Sequence, residues 1–261
     1  MHLKLFPVQA LYLRTRSKNI PCFALSGDLS HMQPTFQTQY QTTSVGSVRQ
    51  KVLRNTYMLL AISLIPTVIG AAVGANMSFA FMMGSPIVST LLMLAVIYGL
   101  FFAVEKNRDS GVGVALLLLL TFVMGVLLGP LLQVALSLAN GPQLIMTAGG
   151  ATAAVFFVMA AIGTTTKRDL SGLGKFLTVG AVVLMIAVVA NIFLRLPALQ
   201  LTIAAAFALF SSLMIMWEVK NVVDGGETNY ISATLSIFIS VYNLFSSLLQ
   251  LLIAFSGNSR D

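Results

Sequence analysis

The sequence predicts an all-α membrane protein with seven transmembrane helices. Hydrophobic residues make up 57% of the 261 positions and charged residues 9%, whereas a soluble domain carries roughly 25% charge. Mean hydropathy is +0.90, and the apolar residues form uninterrupted runs of about 20, the length that crosses a bilayer. Backbone in hydrocarbon must satisfy its own hydrogen bonds, and runs that lack the alternation of barrel strands do so as helices.

The seven spans differ in how polar they are and in where proline falls. The last span is rich in serine and holds Asn243 and Gln250, so we expect the other helices to shield it from lipid. Pro66 is predicted to kink the first helix, whereas Pro86 and Pro130 lie near helix ends, where a missing N–H costs little. The predicted spans are 53–74, 79–103, 112–136, 144–163, 176–194, 198–217 and 231–255.

The distribution of Lys and Arg predicts the orientation of these helices. With the N-terminus in the cytoplasm, thirteen of the fifteen fall in cytoplasmic segments, and Arg195 and Arg260 fall outside. Because positive residues concentrate on the cytoplasmic side, we predict a cytoplasmic N-terminus and a periplasmic C-terminus. The net charge of +7 does not indicate nucleic-acid binding, because the cations lie between apolar runs and not on one face among aromatic residues.

The first 47 residues are predicted to be a flexible cytoplasmic tail, and residues 48–261 the seven-helix membrane domain. Residues 32–48 consist largely of Gln, Thr and Ser, with few residues that can form a core. The apolar start is broken by Pro7 and Gln9 and has no small-residue cleavage pattern, so we reject a signal peptide. We interpret Met32 as the natural start and residues 1–31 as an extension before it; the alternative is that residues 1–31 are translated naturally.

The common sequence signatures of enzymes and metal sites are absent. The sequence has no HExxH, no GxSxG, no phosphate-binding loop and no paired carboxylates within a span. Cys22 is the single cysteine, and both histidines, His2 and His31, lie in the polar N-terminal region. We therefore predict a non-enzymatic protein with no cofactor and no metal site.

Two small-xxx-small patterns predict close helix packing. "GAAVG" runs from Gly70 to Gly74, and "GVLLG" runs from Gly125 to Gly129. Such patterns let two helix backbones approach closely, either within one chain or between two chains. We expect packing within the monomer, because a bundle of seven helices has many internal contacts to make.

Acidic residues concentrate in one short stretch, "MWEVKNVVDGGETNY", between the last two spans. Asp224, Gly225 and Gly226 are typical of a turn. Thr228 or Asn229 is suited to cap the last helix, and Glu227 would lie near the positive end of that helix. Most of the stretch is therefore interpreted as a connector.

Glu218 is the residue of this stretch that we single out as a candidate polar, pH-sensing site. A carboxylate at the edge of an apolar run is costly unless it faces a polar interior and finds a partner. Ser240 and Asn243 are the candidate partners, on a polar stripe of the last helix. The alternative is that Glu218 is interfacial and solvated. The stripe consists of Ser232, Ser236, Ser240, Asn243 and Ser247.

Several segments resemble the Bax inhibitor (transmembrane Bax inhibitor motif) family over roughly residues 48–255. They are "KVLRNTYMLL", "TTTKRDLSGLG" and, most specifically, "GGETNYI" and "VYNLFSSLLQLL". The resemblance, which is greatest to a bacterial branch that modulates the FtsH protease, implies six helices around the last. It also implies an inner-membrane protein that associates with FtsH, restrains the proteolysis of membrane substrates and is itself poorly degraded. A flexible tail would then give the protease an end to grip.

Other members of this family resemble pH-sensitive calcium leak channels, with an aspartate pair in the last two helices. Glu218 matches the first aspartate conservatively, whereas Ser240 stands where the second is expected. The second span also has no basic residue that could pair with Glu218. Glu218 alone has no second carboxylate with which to share a proton, and it cannot provide the two negative charges of a calcium site. The departure favours the FtsH-modulating branch, and a cation leak is the alternative.

Overall fold

The computed structural model describes residues 35–78 and 86–257, and every regular element in them is an α-helix. The predicted all-α fold class is therefore confirmed. The helices are α1 (Thr35–Asn76), α2 (Pro86–Lys106), α3 (Gly111–Leu127), α4 (Gly129–Leu136), α5 (Gly141–Thr165), α6 (Ser171–Leu194), α7 (Pro197–Asp224) and α8 (Tyr230–Gly257).

Six stretches of the described chain are long and apolar enough to cross a membrane. They are Val48–Asn76, Gly111–Leu136, Gly141–Thr165, Ser171–Leu194, Pro197–Asp224 and Tyr230–Ser256. These six overlap six of the seven predicted spans. The remaining one, 79–103, overlaps α2 but begins in residues that lie outside the described ones. The count of seven spans stays a prediction.

The third predicted span, 112–136, contains two helices that meet at Leu128. The Leu128 backbone N–H donates to Gly125 O at 3.0 Å and Met124 O at 3.2 Å, which closes α3. Pro130 has no N–H to donate, and its ring crowds the carbonyl four residues earlier, so the helical hydrogen bonding is interrupted there. The local break leaves Gly111–Leu136 able to cross the membrane as one span.

The chain divides into two compact units, Met1–Gln41 and Thr42–Asp261, and all side chains discussed below belong to the second. The first helix begins at Thr35, within the segment 1–47 for which a tail is predicted. The rest of that segment lies outside the described residues, as do Cys22, His2, His31 and the proposed start at Met32. The division at residue 47 stays a prediction.

The last helix, α8, is the most enclosed of the described helices. No residue between Tyr230 and Ala254, a stretch described throughout, is exposed. It packs against α2, α3, α4, α5 and α7, and Thr234 Oγ1 on α8 donates to Thr56 O on α1 at 3.3 Å. By contrast, α6 packs on α7, and Leu177 is its one buried residue. The arrangement of six helices around the last one therefore remains a prediction.

The interior combines fully buried large apolar side chains, such as Phe238 and Leu117, with buried hydroxyl groups, and many other large apolar side chains face outward. Phe193 on α6 is 81% exposed and Leu209 on α7 is 71% exposed. In lipid, helices gain little from burying apolar surface, and close packing and interhelical hydrogen bonds hold them together instead. Buried hydroxyl residues are distributed over five helices: Thr56, Ser63, Thr121, Thr152, Ser211, Ser212, Ser232, Thr234, Ser240 and Ser247.

The two small-xxx-small motifs pack against each other within the chain. The space in which Gly70 and Gly74 of α1 would carry a Cβ is filled by the backbone carbonyls of Phe122 and Val126 on α3. The corresponding space at Gly125 is filled by the carbonyl of Thr67. The backbones of α1 and α3 therefore touch directly, and the expected packing within the monomer is confirmed.

Candidate functional site

The connector between α7 and α8 is shaped by two glycines. Gly225 ends α7 with φ of 83°, a left-handed conformation that a residue with a Cβ adopts at a cost. The Gly225 N–H donates to Val222 O at 3.1 Å, and the Gly226 N–H donates to Asn221 O at 2.9 Å. A Cβ on Gly225 would also lie 2.7 Å from Arg49 Nε. Both the turn and the close contact therefore require glycine.

Asn229 caps α8 and also ties the connector to the loop after α2. Its Oδ1 accepts from the N–H groups of Ile231, at 2.9 Å, and Ser232, at 3.3 Å. Its Nδ2 donates to Arg108 O at 3.0 Å and to Asp109 Oδ1 at 2.8 Å. Of the two predicted caps, Asn229 is the one that acts. The connector is shorter than predicted and comprises residues 225–229, because α7 continues through Asp224, which the sequence had indicated as a turn residue.

Glu218 lies inside the protein, on the face of α7 that packs against α8. It is 7% exposed, and Ile215 and Val222 on the same face are fully buried or nearly so. The carboxyl lies close enough to the Ser236 hydroxyl on α8 to interact with it, and the charge of Glu227 acts on it from the connector. Glu218 therefore has a polar partner inside the helix interface.

The structure pairs Glu218 with Ser236, a member of the predicted stripe, and not with the two partners that the sequence analysis favoured. Ser240 Oγ donates to Ser236 O at 3.1 Å, within its own helix. Asn243 accepts a hydrogen bond from Ser246 Oγ at its backbone oxygen. The short connector makes α7 and α8 antiparallel neighbours, so residues equally distant from it meet. Counting residues outward from the connector along both helices places Ser236 opposite Glu218.

Ser211 extends the polar interface further into the membrane domain. It lies two helical turns from Glu218 on α7 and is 1% exposed. Its Oγ has no hydrogen-bond partner among the described residues. A buried hydroxyl without a partner is unfavourable, and a bound water or ion normally compensates for it. The Glu218 carboxyl and the Ser211 hydroxyl can therefore each form a further hydrogen bond inside this interface.

A second carboxylate reaches the polar stripe from α2. Ser232 Oγ donates to Glu105 Oε2 at 3.2 Å, and Glu105 also pairs with Arg108, with 3.6 Å between Oε2 and Nη1. Glu105 is not among the predicted site residues, and its position near the end of α2 is typical of a solvated residue. Among the described residues, no three His, Cys, Asp or Glu side chains are close enough together to hold a metal ion.

An α-helical bundle with lipid-facing apolar side chains and a hydroxyl-rich interior defines a polytopic membrane protein. The family described as "Bax1-I: Inhibitor of apoptosis-promoting Bax1" matches residues 49–257, which is most of the chain. The chain therefore belongs to the Bax inhibitor family, as the resemblance predicted.

Three bacterial relatives illustrate the likeness. An uncharacterised protein of Neisseria meningitidis serogroup A is 52% identical over 220 residues, which cover 84% of this chain and 97% of that protein. The "Modulator of FtsH protease YccA" of Escherichia coli K12 is 43% identical over 221 residues, covering 85% and 97%. An uncharacterised protein of Pseudomonas aeruginosa is 42% identical over 218 residues, covering 82% and 96%.

Proposed function

We propose that this chain is a non-enzymatic modulator of a membrane-bound FtsH protease, which it inhibits while being a poor substrate itself. The observation that carries the proposal is its 43% identity, over nearly the full length of the relative, to a protein named as a modulator of that protease. A second Escherichia coli relative of the same identity is named an inner membrane protein. We accordingly assign the chain to the bacterial inner membrane.

The proposed arrangement has a cytoplasmic N-terminus, a periplasmic C-terminus and six helices around the last. The charge distribution supports the orientation, since thirteen of the fifteen Lys and Arg residues then lie in cytoplasmic segments. The enclosure of α8 supports the central position of the last helix. The exposed apolar face of α6 is suited to contact a protease helix in the bilayer, while the N-terminal tail would engage the protease in the cytoplasm.

The test is the degradation of a membrane substrate by FtsH in proteoliposomes, with and without this protein at matched amounts. We expect slower degradation of the substrate and slow loss of the chain itself. A form of the chain without residues 1–47 should be degraded more slowly still, because it has no N-terminal tail for the protease to bind. An unchanged rate of substrate degradation with the full chain would overturn the proposal.

The interface between α7 and α8 favours a second candidate function, a cation or proton leak along the polar stripe. Glu218 is buried against Ser236, and the hydroxyl of Ser211 has no partner among the described residues. Calcium or proton flux into vesicles tests this candidate. The Glu218→Gln form should change the flux, and Asp109→Asn, which alters an exposed carboxylate, should not. A flux equal to that of empty vesicles would remove the candidate.

A further inference from the structure

A cleft of about 420 Å³ lies where α6 begins and α7 ends, away from the interface of Glu218 and Ser236. Its volume is within the range of pockets that bind small ligands. One wall comes from the connector before α6 and from the first turns of α6, and the other comes from the last turns of α7. The side chains that carry the argument are Asp169, Ser171, Lys175, Trp217, Lys220 and Asp224.

The cleft lies at one end of two helices that are long and apolar enough to cross a membrane, since α6 begins at Ser171 and α7 ends at Asp224. We therefore expect it near the boundary between lipid and water. Tryptophan is enriched at that level, because its ring is apolar and its N–H needs a polar partner. Trp217 lies against Gly174, where a Cβ would be 2.8 Å from the indole nitrogen. The glycine therefore makes room for the ring beside the cleft.

The cleft contains two cations and two carboxylates. The Lys220 side chain is 10% exposed, and its Nζ lies 2.7 Å from Asp224 Oδ1. Asp169 accepts from the Ser171 N–H at 2.8 Å and from the Ser171 hydroxyl at 3.0 Å, and its charge acts on Lys220. Lys175 is exposed at the rim. Lys220 is thus a largely buried cation whose charge is balanced by carboxylates of the same cleft.

We propose that this cleft binds the headgroup of an ethanolamine phospholipid. Lys175 and Lys220 face the phosphate, and Asp169 and Asp224 accept hydrogen bonds from the primary ammonium. The Trp217 ring offers its face to the same cation. The exposed apolar side chains of Phe176 and Val179 line the adjoining surface of α6, along which the acyl chains extend.

Charge balance selects this headgroup over other common lipid headgroups. An anionic glycerol headgroup would meet two carboxylates without a cation of its own to pair with them. A choline headgroup has the same net charge, but its quaternary nitrogen has no N–H to donate to Asp169 or Asp224. A primary ammonium beside a phosphate matches both pairs of side chains.

The fluorescence of Trp217, the single tryptophan of the chain, reports occupancy of the cleft. The purified full chain is titrated in detergent with short-chain phosphatidylethanolamine, phosphatidylcholine and phosphatidylglycerol. We expect the ethanolamine lipid to bind about tenfold more tightly than the other two, as the loss of one or two charge-assisted hydrogen bonds implies. Equal responses to all three lipids, or no response, would overturn the proposal. Equal affinity for soluble glycerophosphoethanolamine would also contradict a lipid as the occupant.

Two sets of variants test the assignment of the side chains. Lys175→Met alters an exposed residue, so the fold should be retained, and it should weaken binding of the ethanolamine lipid about tenfold. Asp169→Asn combined with Asp224→Asn leaves two cations without carboxylates and should reverse the preference toward phosphatidylglycerol. Lys106→Met, an exposed cation at the end of α2 and outside the cleft, is the matched control and should leave binding unchanged. Unaltered lipid preference in the double variant would refute the proposed roles.

Discussion

The Glu218 carboxyl on α7 faces the Ser236 hydroxyl on α8, across the interface between the last two helices. The two residues are equally far from the connector, and Glu218 is 7% exposed. The turn at Gly225 and the cap at Asn229 therefore determine which side chain meets the buried carboxyl. The first two predictions test this relationship and the cap that sets it.

Replacing Ser236 by Ala removes the hydroxyl partner of a buried carboxyl. We expect the free energy of unfolding to fall by about 1–3 kcal/mol, because a buried polar group without a partner retains its desolvation cost. Ser240→Ala is the matched control, since the Ser240 hydroxyl bonds to its own helix backbone, and it should cost much less. Reversible unfolding in mixed micelles measures both. Equal losses for the two variants would contradict the pairing.

Replacing Asn229 by Ala removes the cap of α8 and the link to the loop after α2. The expected loss of stability is about 1–2 kcal/mol, the upper part of the range for an N-cap residue. The neighbouring Thr228 is exposed and was the alternative cap, so Thr228→Ala should have little effect. The same unfolding measurement distinguishes them. A larger loss for Thr228→Ala would mean that the cap is assigned to the wrong residue.

Replacing Gly125 by Ala forces apart the backbones of α1 and α3. A Cβ there has no free space against the Thr67 carbonyl, and overpacking of this kind typically costs about 1–3 kcal/mol. Gly149→Ala in α5 is the control, because a Cβ at Gly149 meets no atom within 4 Å; alanine there should be neutral or slightly stabilising. Thermal unfolding in detergent compares the two. A fully tolerated Gly125→Ala would show that the two helices are not in backbone contact.

The pKa of Asp169 is lowered from its ordinary value of 3.8, chiefly by the hydrogen bond from the Ser171 N–H and then by the Ser171 hydroxyl. Because the folded-state pKa lies below the unfolded one, the stabilising contribution is present above pH 3.8 and is lost as the pH falls through the folded value. Titration of the Asp169 carboxyl carbon by NMR should give a midpoint below 3.8. Ser171→Ala should raise that midpoint by removing the hydroxyl. A midpoint that Ser171→Ala leaves unchanged would exclude the hydroxyl as a cause.

The helical class and most of the span positions follow from local sequence alone. Each apolar run satisfies its backbone hydrogen bonds internally, so its state depends on local composition and length. Close packing at the glycine motifs and the turn at Gly225 could also be predicted from the sequence. Glycine has no Cβ, so it permits both a close approach of helices and a positive φ. The break at Leu128 also follows locally from Pro130, within the single predicted span 112–136.

Which helix faces meet depends on how the helices pack in three dimensions. The selection of Ser236 over Ser240 as the partner of Glu218, the approach of Glu105 to Ser232 and the pairing of the glycines of α1 with α3 depend on the rotation and relative height of neighbouring helices. The cleft likewise joins residues of α6 and the connector before it to residues of α7. In a bilayer those rotations come from small differences in close packing and hydrogen bonding, and a chain of uniformly apolar spans carries little periodic signal from which to predict them.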